Sequence, residues 1–307
     1  MRLATLFDYM DVTTVEGEPE FTNPIYNEST PIEEIGGLYF KRDDLYKPFS
    51  DSPLNGTKLR QIQMLFDSRK SEIKTKYNST VLTACSVHSP QAANLARAAK
   101  EFNFKVVVGV GVKSSVEDVL KRRPMMKYAH DLGAEIRIVA GTGYNNVIYS
   151  RLSPKEGFIV RFGFQLSDNY QALVGSVSNQ TKNLPPNCYL IVPMGSGVTF
   201  SGIIEGIELM DKEKRPRKIT AIQISGYDRS KETESLLNNI RPYGRTVDYE
   251  ILVDKTYPYT KQVNSIWGSL QFDYIYEAKA FQSAERLNLL KESNVCFWVI
   301  GNNNSLR

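Results

Sequence analysis

Six short runs of almost wholly apolar residues recur along the chain: VLTACSV at 81–87, KVVVGVGV at 105–112, EIRIVAG at 135–141, CYLIVPMG at 188–195, ITAIQIS at 219–225 and VCFWVIG at 295–301. A strand with one face in water alternates apolar and polar residues, whereas a run that is apolar at nearly every position is buried on both faces. That is the condition of a strand inside a parallel sheet covered by helices. Stretches of helical spacing lie between the runs. PQAANLARAAKEF follows Ser89, and FSGIIEGIELM follows Thr199 with Phe200, Ile203, Ile204 and Ile207 on one side. Strand and helix therefore alternate, which predicts an α/β fold of mostly parallel sheets flanked by helices.

Length allows one large or two modest domains, since 307 residues compare with about 150 per domain. With 41% hydrophobic and 23% charged residues, the chain falls in the globular class and outside the disordered and fibrous ones. A formal charge of +4, not gathered into a basic tail, gives no sign of a dedicated nucleic-acid binder. Cys85, Cys188 and Cys296 are far apart in sequence and form no CxxC pair, so neither a disulfide framework nor a metal site is expected. The first residues, MRLATLFDYM, are broken by Asp8 before a signal-like apolar region develops, and no run has the length of a membrane span. The expected location is cytoplasmic, and the glycosylation-like triplets at Asn27, Asn78 and Asn179 are then chance matches.

Several familiar chemistries lack their spacing: there is no GxxxxGK loop, GxSxG elbow, GxGxxG after a strand, or HExxH. His88 and His130 are the only histidines, so histidine-based catalysis and multi-histidine metal sites have few candidates. Four other segments carry chemistry. TPIEEIGGLYFKRDDL leads into NGTKLRQIQMLF, where Lys58 opens an amphipathic helix; alone it reads as a surface charge. SVHSPQ places Ser89 and Pro90 at a strand-to-helix turn, which is either a plain N-cap or a helix N-terminus facing an anion or a reacting carbon. Gly195, Ser196, Gly197, Val198 and Thr199 join a buried strand to a helix; glycines there let backbone amides approach a phosphate, although a tight βα turn needs them too. FDYIYEAKAF, with Tyr276 beside Glu277, precedes the terminal VCFWVIGNNNSLR.

Read in order, these segments resemble the fold-type II pyridoxal-phosphate enzymes, in particular the aminocyclopropanecarboxylate deaminase and D-cysteine desulfhydrase group. YFKRDDL is similar to that family's KRDDL motif, NGTKLRQ to its Schiff-base lysine motif, GSGVT to its phosphate loop, and DYIYEAKAF to its DPVY-[ET]-GKA segment. The resemblance implies a two-domain fold with pyridoxal 5'-phosphate in the interdomain cleft. Residues 1–60 and 155–307 would form the large domain and 61–154 a smaller inserted one. It also implies that Lys58 holds the cofactor, that the 195–199 loop binds its phosphate, and that Glu277 faces the pyridine nitrogen. Ser89, Tyr276 and Tyr259, or Tyr257 in the same KTYPYTK loop, become catalytic candidates. Gln91 and Asn302 join the cofactor contacts. No metal is implied. The expected activity is that of a lyase or deaminase working at the α-carbon of an amino-acid-like substrate through a quinonoid carbanion, in a chain that forms a homodimer.

This chain also departs from the family pattern. Pro90 stands where the family carries a cofactor-contacting asparagine, so that contact must come from a neighbour such as Gln91 or Asn94. Ala278 replaces a glycine, and GNNN replaces TGG. These changes leave room for a decarboxylase, including one acting on an amino-acid-modified nucleotide, as in bacteriophage pathways that hypermodify thymidine in DNA. They also leave room for a catalytically retired binding protein, against which the joint presence of Lys58 and Glu277 argues.

Overall fold

A computed structural model describes residues 28–164, 170–224, 228–241 and 244–306. Asn27 and the leading MRLATLFDYM lie outside them. In chain order the strands and helices are β1 (Ile32–Ile35), β2 (Leu38–Arg42), α1 (Thr57–Lys76), β3 (Thr80–Ala84), α2 (Gln91–Phe102), β4 (Lys105–Gly111), α3 (Val116–Arg122), α4 (Pro124–Asp131), β5 (Glu135–Ala140), α5 (Asn145–Tyr149) and β6 (Phe158–Val160). There follow α6 (Tyr170–Ser178), β7 (Tyr189–Met194), α7 (Val198–Glu208), β8 (Lys218–Gln223), α8 (Ser230–Ile240), β9 (Glu250–Val253), β10 (Ile266–Trp267), β11 (Leu270–Gln271), α9 (Glu277–Arg286) and β12 (Val295–Val299). Each of the six apolar runs coincides with one of these strands, to within one residue at its start.

The strands form two main sheets. One has the order β1-β2-β12-β7-β8-β9, parallel except for the β1–β2 pair, and the other the order β5-β4-β3-β6, parallel throughout. A third, two-stranded ribbon joins β10 to β11. All five residues of β12 and all six of β7 are buried, which is what two helix-covered faces demand. Strand β6, which lies after residue 155, pairs with β3, so the segment carrying the smaller sheet runs on to Val160.

Helix α2 is buried almost all round. Its alanines let it lie against the four-stranded sheet on one side and α1 and α4 on the other, and Asn103 ends it in the left-handed region with φ 56°. Helix α1 turns Leu59, Ile62, Leu65 and Phe66 into the same apolar core, each such side chain contributing about 1.5–3 kcal/mol on burial.

The start of α1 is fixed by a buried polar cluster built on KRDDL. The Asp43 carboxylate accepts from Thr30 Oγ1 (2.5 Å), Thr57 Oγ1 (2.6 Å) and Trp298 Nε1 (3.0 Å), with Arg60 at 3.5 Å. Burial pushes that carboxyl up, but the Arg60 and Lys41 charges and the two hydroxyls outweigh it and hold it below the usual range. Lys41 donates to Thr30 O (2.7 Å) and Asn183 Oδ1 (2.8 Å); burial lowers its ammonium to about 8 despite the nearby Asp43.

Cys188 and Cys296, remote in sequence, are neighbours because β12 pairs with β7. A hydrogen bond with Cys188, together with burial, holds the Cys296 thiol well above its usual range. All three cysteines are buried thiols. Among the described residues no helix is long and apolar enough to cross a membrane, and no group of three acidic, histidine or cysteine side chains could hold a metal ion.

Candidate active site

Three loops that follow parallel strands meet at one cleft. The first follows β2 and delivers Lys58. Here Gly56 has φ 90°, and a Cβ would lie 2.3 Å from Ile300 O, so only glycine lets this loop cross the chain after β12 so closely. The crossing is tied by Thr57 N donating to Ile300 O (2.9 Å) and Asn302 N donating to Asn55 Oδ1 (2.7 Å). Lys58, on the first turn of α1, extends into the cleft with Nζ 5.5 Å from the Tyr276 ring centroid.

The second loop follows β7. Gly195, Ser196, Gly197 and Thr199 line the cleft where α7 begins, and the first amides of a helix carry no intrahelical partner. Gly197, at φ 85°, makes the turn; a Cβ there would meet Thr233 Oγ1 at 2.3 Å. The Val198 side chain does not line the cleft but packs in the core, so only its backbone belongs to the loop.

The third loop follows β3 and behaves differently from expectation. Ser89 is 1% exposed, its Oγ accepts from Gln91 N (3.2 Å), and it is not among the cleft residues. Gln91 also lies off the cleft. Its amide donates to Thr83 Oγ1 (2.8 Å) and Arg161 O (3.1 Å) and accepts from Gly163 N (2.9 Å), which anchors the chain after β6. Pro90 and Asn94, one helical turn apart on the same side of α2, line the cleft in its place.

At the base, Tyr276 caps α9 and Glu277 begins it. Glu277 is 3% exposed and accepts from Gly301 N at 3.1 Å. Tyr259 reaches Tyr276 with a hydroxyl–hydroxyl distance of 2.7 Å, whereas Tyr257 turns away to Gln282. The Tyr259 loop is held by Lys279, a buried ammonium that donates to Pro258 O (2.9 Å) and Tyr259 O (2.8 Å). Asn302 faces away from the cleft: its side chain donates to Gln271 O (2.8 Å) and accepts from Asn304 N (3.1 Å). The residue that lines the cleft is Asn303.

Asn303, Asp273 and Lys279 were not among the sequence candidates. Asp273 accepts from Ile275 N (2.9 Å), Tyr276 N (3.3 Å) and Asn303 N (3.2 Å), and so joins the start of α9 to the terminal loop. An aspartate three residues before Tyr276, just ahead of a helix, is the capping signal that could have found it. The nearby Cys85 thiol is pushed up to about 12 by burial and is not a nucleophile.

No protein-family model matches the chain. It is 25% identical over 211 residues to a protein of Pyrococcus horikoshii provisionally assigned as 1-aminocyclopropane-1-carboxylate deaminase; the match covers 61% of this chain and 58% of that relative, so the chain spans under two thirds of the relative's length. The crystal structure of an ACC deaminase homologue superposes with a TM-score of 0.70 at 18% identity, covering 89% of each chain. Maize serine racemase gives 0.59 at 15% identity over 90% of each, and threonine deaminase isoform 2 of Solanum lycopersicum 0.58 at 14% identity over 91% of this chain and 81% of that one. The chain therefore shares the fold of these three proteins.

Proposed function

We propose that the cleft holds pyridoxal 5'-phosphate on Lys58 and that the protein is a lyase or deaminase acting at the α-carbon of an amino acid or amino-acid-like substrate. The observation that carries this reading is the convergence, on one cleft, of an amine on the first turn of α1, a glycine loop at the start of α7 and a buried carboxylate at the start of α9. The residues fit the group. Glycines at 195 and 197 would leave the loop bare enough for a phosphate to reach backbone amides, Ser196 and Thr199 would add hydroxyls, and the buried Glu277 carboxylate would hold a protonated ring nitrogen. When bound, the cofactor supplies the sink for the electron pair left by the broken α-carbon bond.

The chain's own residues do the rest. Lys58 would serve as the base at the α-carbon, with the Tyr276 ring face beneath its Nζ. The Tyr276 hydroxyl can pass a proton to or from Tyr259 across their 2.7 Å contact. Phe200, Pro193 and Ile300 wall the cleft with apolar surface that excludes water from the reacting carbon. This set serves removal of an α-proton followed by loss of an amine or a β-substituent. A cytoplasmic location goes with the reading, because the buried cysteines are thiols.

The test is the visible absorbance of the purified protein with added cofactor, then borohydride reduction and mapping of the labelled peptide. Label on Lys58, lost in Lys58→Ala, is expected. A protein that stays colourless, or label on another lysine, would overturn the proposal. Glu277→Gln should keep the cofactor while lowering turnover about a hundredfold; unchanged turnover would remove Glu277 from its role.

A further inference from the structure

Three side chains at the start of α9 and along it, three residues apart, grip the loop between β9 and β10 at separate points. Tyr276 meets the Tyr259 hydroxyl at 2.7 Å, and Lys279 donates to Pro258 O (2.9 Å) and Tyr259 O (2.8 Å). Gln282 accepts from the Tyr257 hydroxyl (3.1 Å) and donates to Asn264 O (3.0 Å). Residues three apart are neighbours on a helix surface, so the loop is laid along α9.

Thr256, Pro258, Thr260, Lys261 and Gln262 of that loop are exposed, so these positions bury little apolar surface and the loop depends on polar ties. Lys279 is only 1% exposed beneath it. A buried ammonium costs more than an apolar side chain of the same length, so stability alone does not account for a lysine there. Its geometry does. An ammonium carries three donors and no acceptor, and can therefore hold two successive carbonyls at once. Tyr259 is thereby fixed at both ends, its carbonyl by Lys279 and its hydroxyl against Tyr276, whose ring centroid lies 5.5 Å from Lys58 Nζ.

We propose that Lys279 is a positioning residue: by holding the Pro258 and Tyr259 carbonyls it keeps the Tyr259 hydroxyl against that of Tyr276, and so governs proton passage beside Lys58. Lys279 does not line the cleft and acts only through Tyr259. Without it the exposed loop drifts, the hydroxyl contact opens, and Tyr276 loses the partner with which it exchanges a proton. The inference rests on the proposed function and deepens it by naming a residue outside the cleft that the same chemistry needs.

The test is exchange of the α-proton of alanine and serine, each as both enantiomers, for solvent deuterium, followed by proton NMR on the protein with added pyridoxal 5'-phosphate. In that reaction the α-carbon C–H bond breaks, its proton passes to the enzyme and a deuteron returns to the carbon, so no co-reactant is consumed. Lys279→Met, close in shape but without donors, is expected to lower kcat at least about tenfold with KM within about threefold, and Tyr259→Phe to do the same. The double variant should fall no more than about twofold below the slower single one, because both changes act through the Tyr259 hydroxyl. If Lys279→Met does not fold, Lys279→Gln, one atom shorter, should lower kcat at least about threefold and is read in the same way. A rate equal to that of the unsubstituted protein, a loss confined to KM, losses that multiply in the double variant, or no exchange with any of the four amino acids would overturn the proposal. Deuterium uptake by the amides of residues 255–263, measured by mass spectrometry on the cofactor-free protein, should rise at least about tenfold in Lys279→Met, and unchanged uptake would overturn the hold itself. Failure of the cofactor reading is seen separately, as absence of visible absorbance and of label on Lys58.

Discussion

Two turns occupy equivalent places in the two sheets: β3 into α2, through Ser89 and Pro90, and β7 into α7, through Gly195 to Gly197. Both carry a parallel strand into a helix at the mouth of the cleft, yet they present opposite chemistry. The β7 turn has glycines at 195 and 197, with Gly197 at φ 85°, and it lines the cleft where α7 begins, at amides that carry no intrahelical partner. The β3 turn closes its amides: proline removes one and Ser89 takes another. The position of a helix N-terminus makes it available to an anion, but the residues of the turn decide whether any donors remain.

The comparison can be broken most strongly through the frame that holds the cleft's first loop, the one that delivers Lys58. Asp43→Asn would leave Arg60 and Lys41 without their buried counter-charge, and a loss of about 3–5 kcal/mol in urea unfolding is expected. The same cluster sets a pH dependence with two signs. The Asp43 carboxyl lies below its ordinary range when folded, so its contribution is present above the unfolded carboxylate range and is lost as pH falls through the folded value. Lys41 is the reverse case. Its folded value, about 8, is below the ordinary 10.5, so the unfolded chain binds the extra proton between them and stability rises with pH across that window, by at most about 3 kcal/mol. Lys41→Met should flatten that rise in thermal or urea scans at pH 8 and 10.

Gly197→Val tests the open turn directly. It forces a β-branched residue into positive φ and a Cβ against buried Thr233, and a fall of about a hundredfold in cofactor affinity is expected by absorbance titration. The matched change in the closed turn, Pro90→Gly, should alter that affinity less than about threefold, because the Gln91 amide remains bound to Ser89. Equal effects of the two substitutions would erase the distinction between the turns.

Much of this was legible in sequence. The apolar runs located the strands of both sheets because burial on both faces writes itself into every residue of a strand. The helix start beside Lys58 and the glycine turn at 195–197 were legible because both are local features. What failed was mostly a matter of facing. Asn302 and Asn303 are adjacent and chemically alike, and one step along an extended chain reverses which of them meets the cleft. Gln91 and Asn94 share a helix, but only the contact with Thr83, Arg161 and Gly163 decides that Gln91 faces the core of the fold.

The sequence by itself determined the α/β alternation, the buried strands, the helix that carries Lys58 in its first turn and the glycine turn that begins α7, since each depends on residues within a few positions of one another. Only the tertiary structure decided that β6 joins the smaller sheet, that Cys188 lies against Cys296, that Lys279 steadies the Tyr259 loop and that Asn94 and Asn303 meet on one cleft. Those outcomes depend on which strands pair and where distant loops cross, and local periodicity carries no record of either.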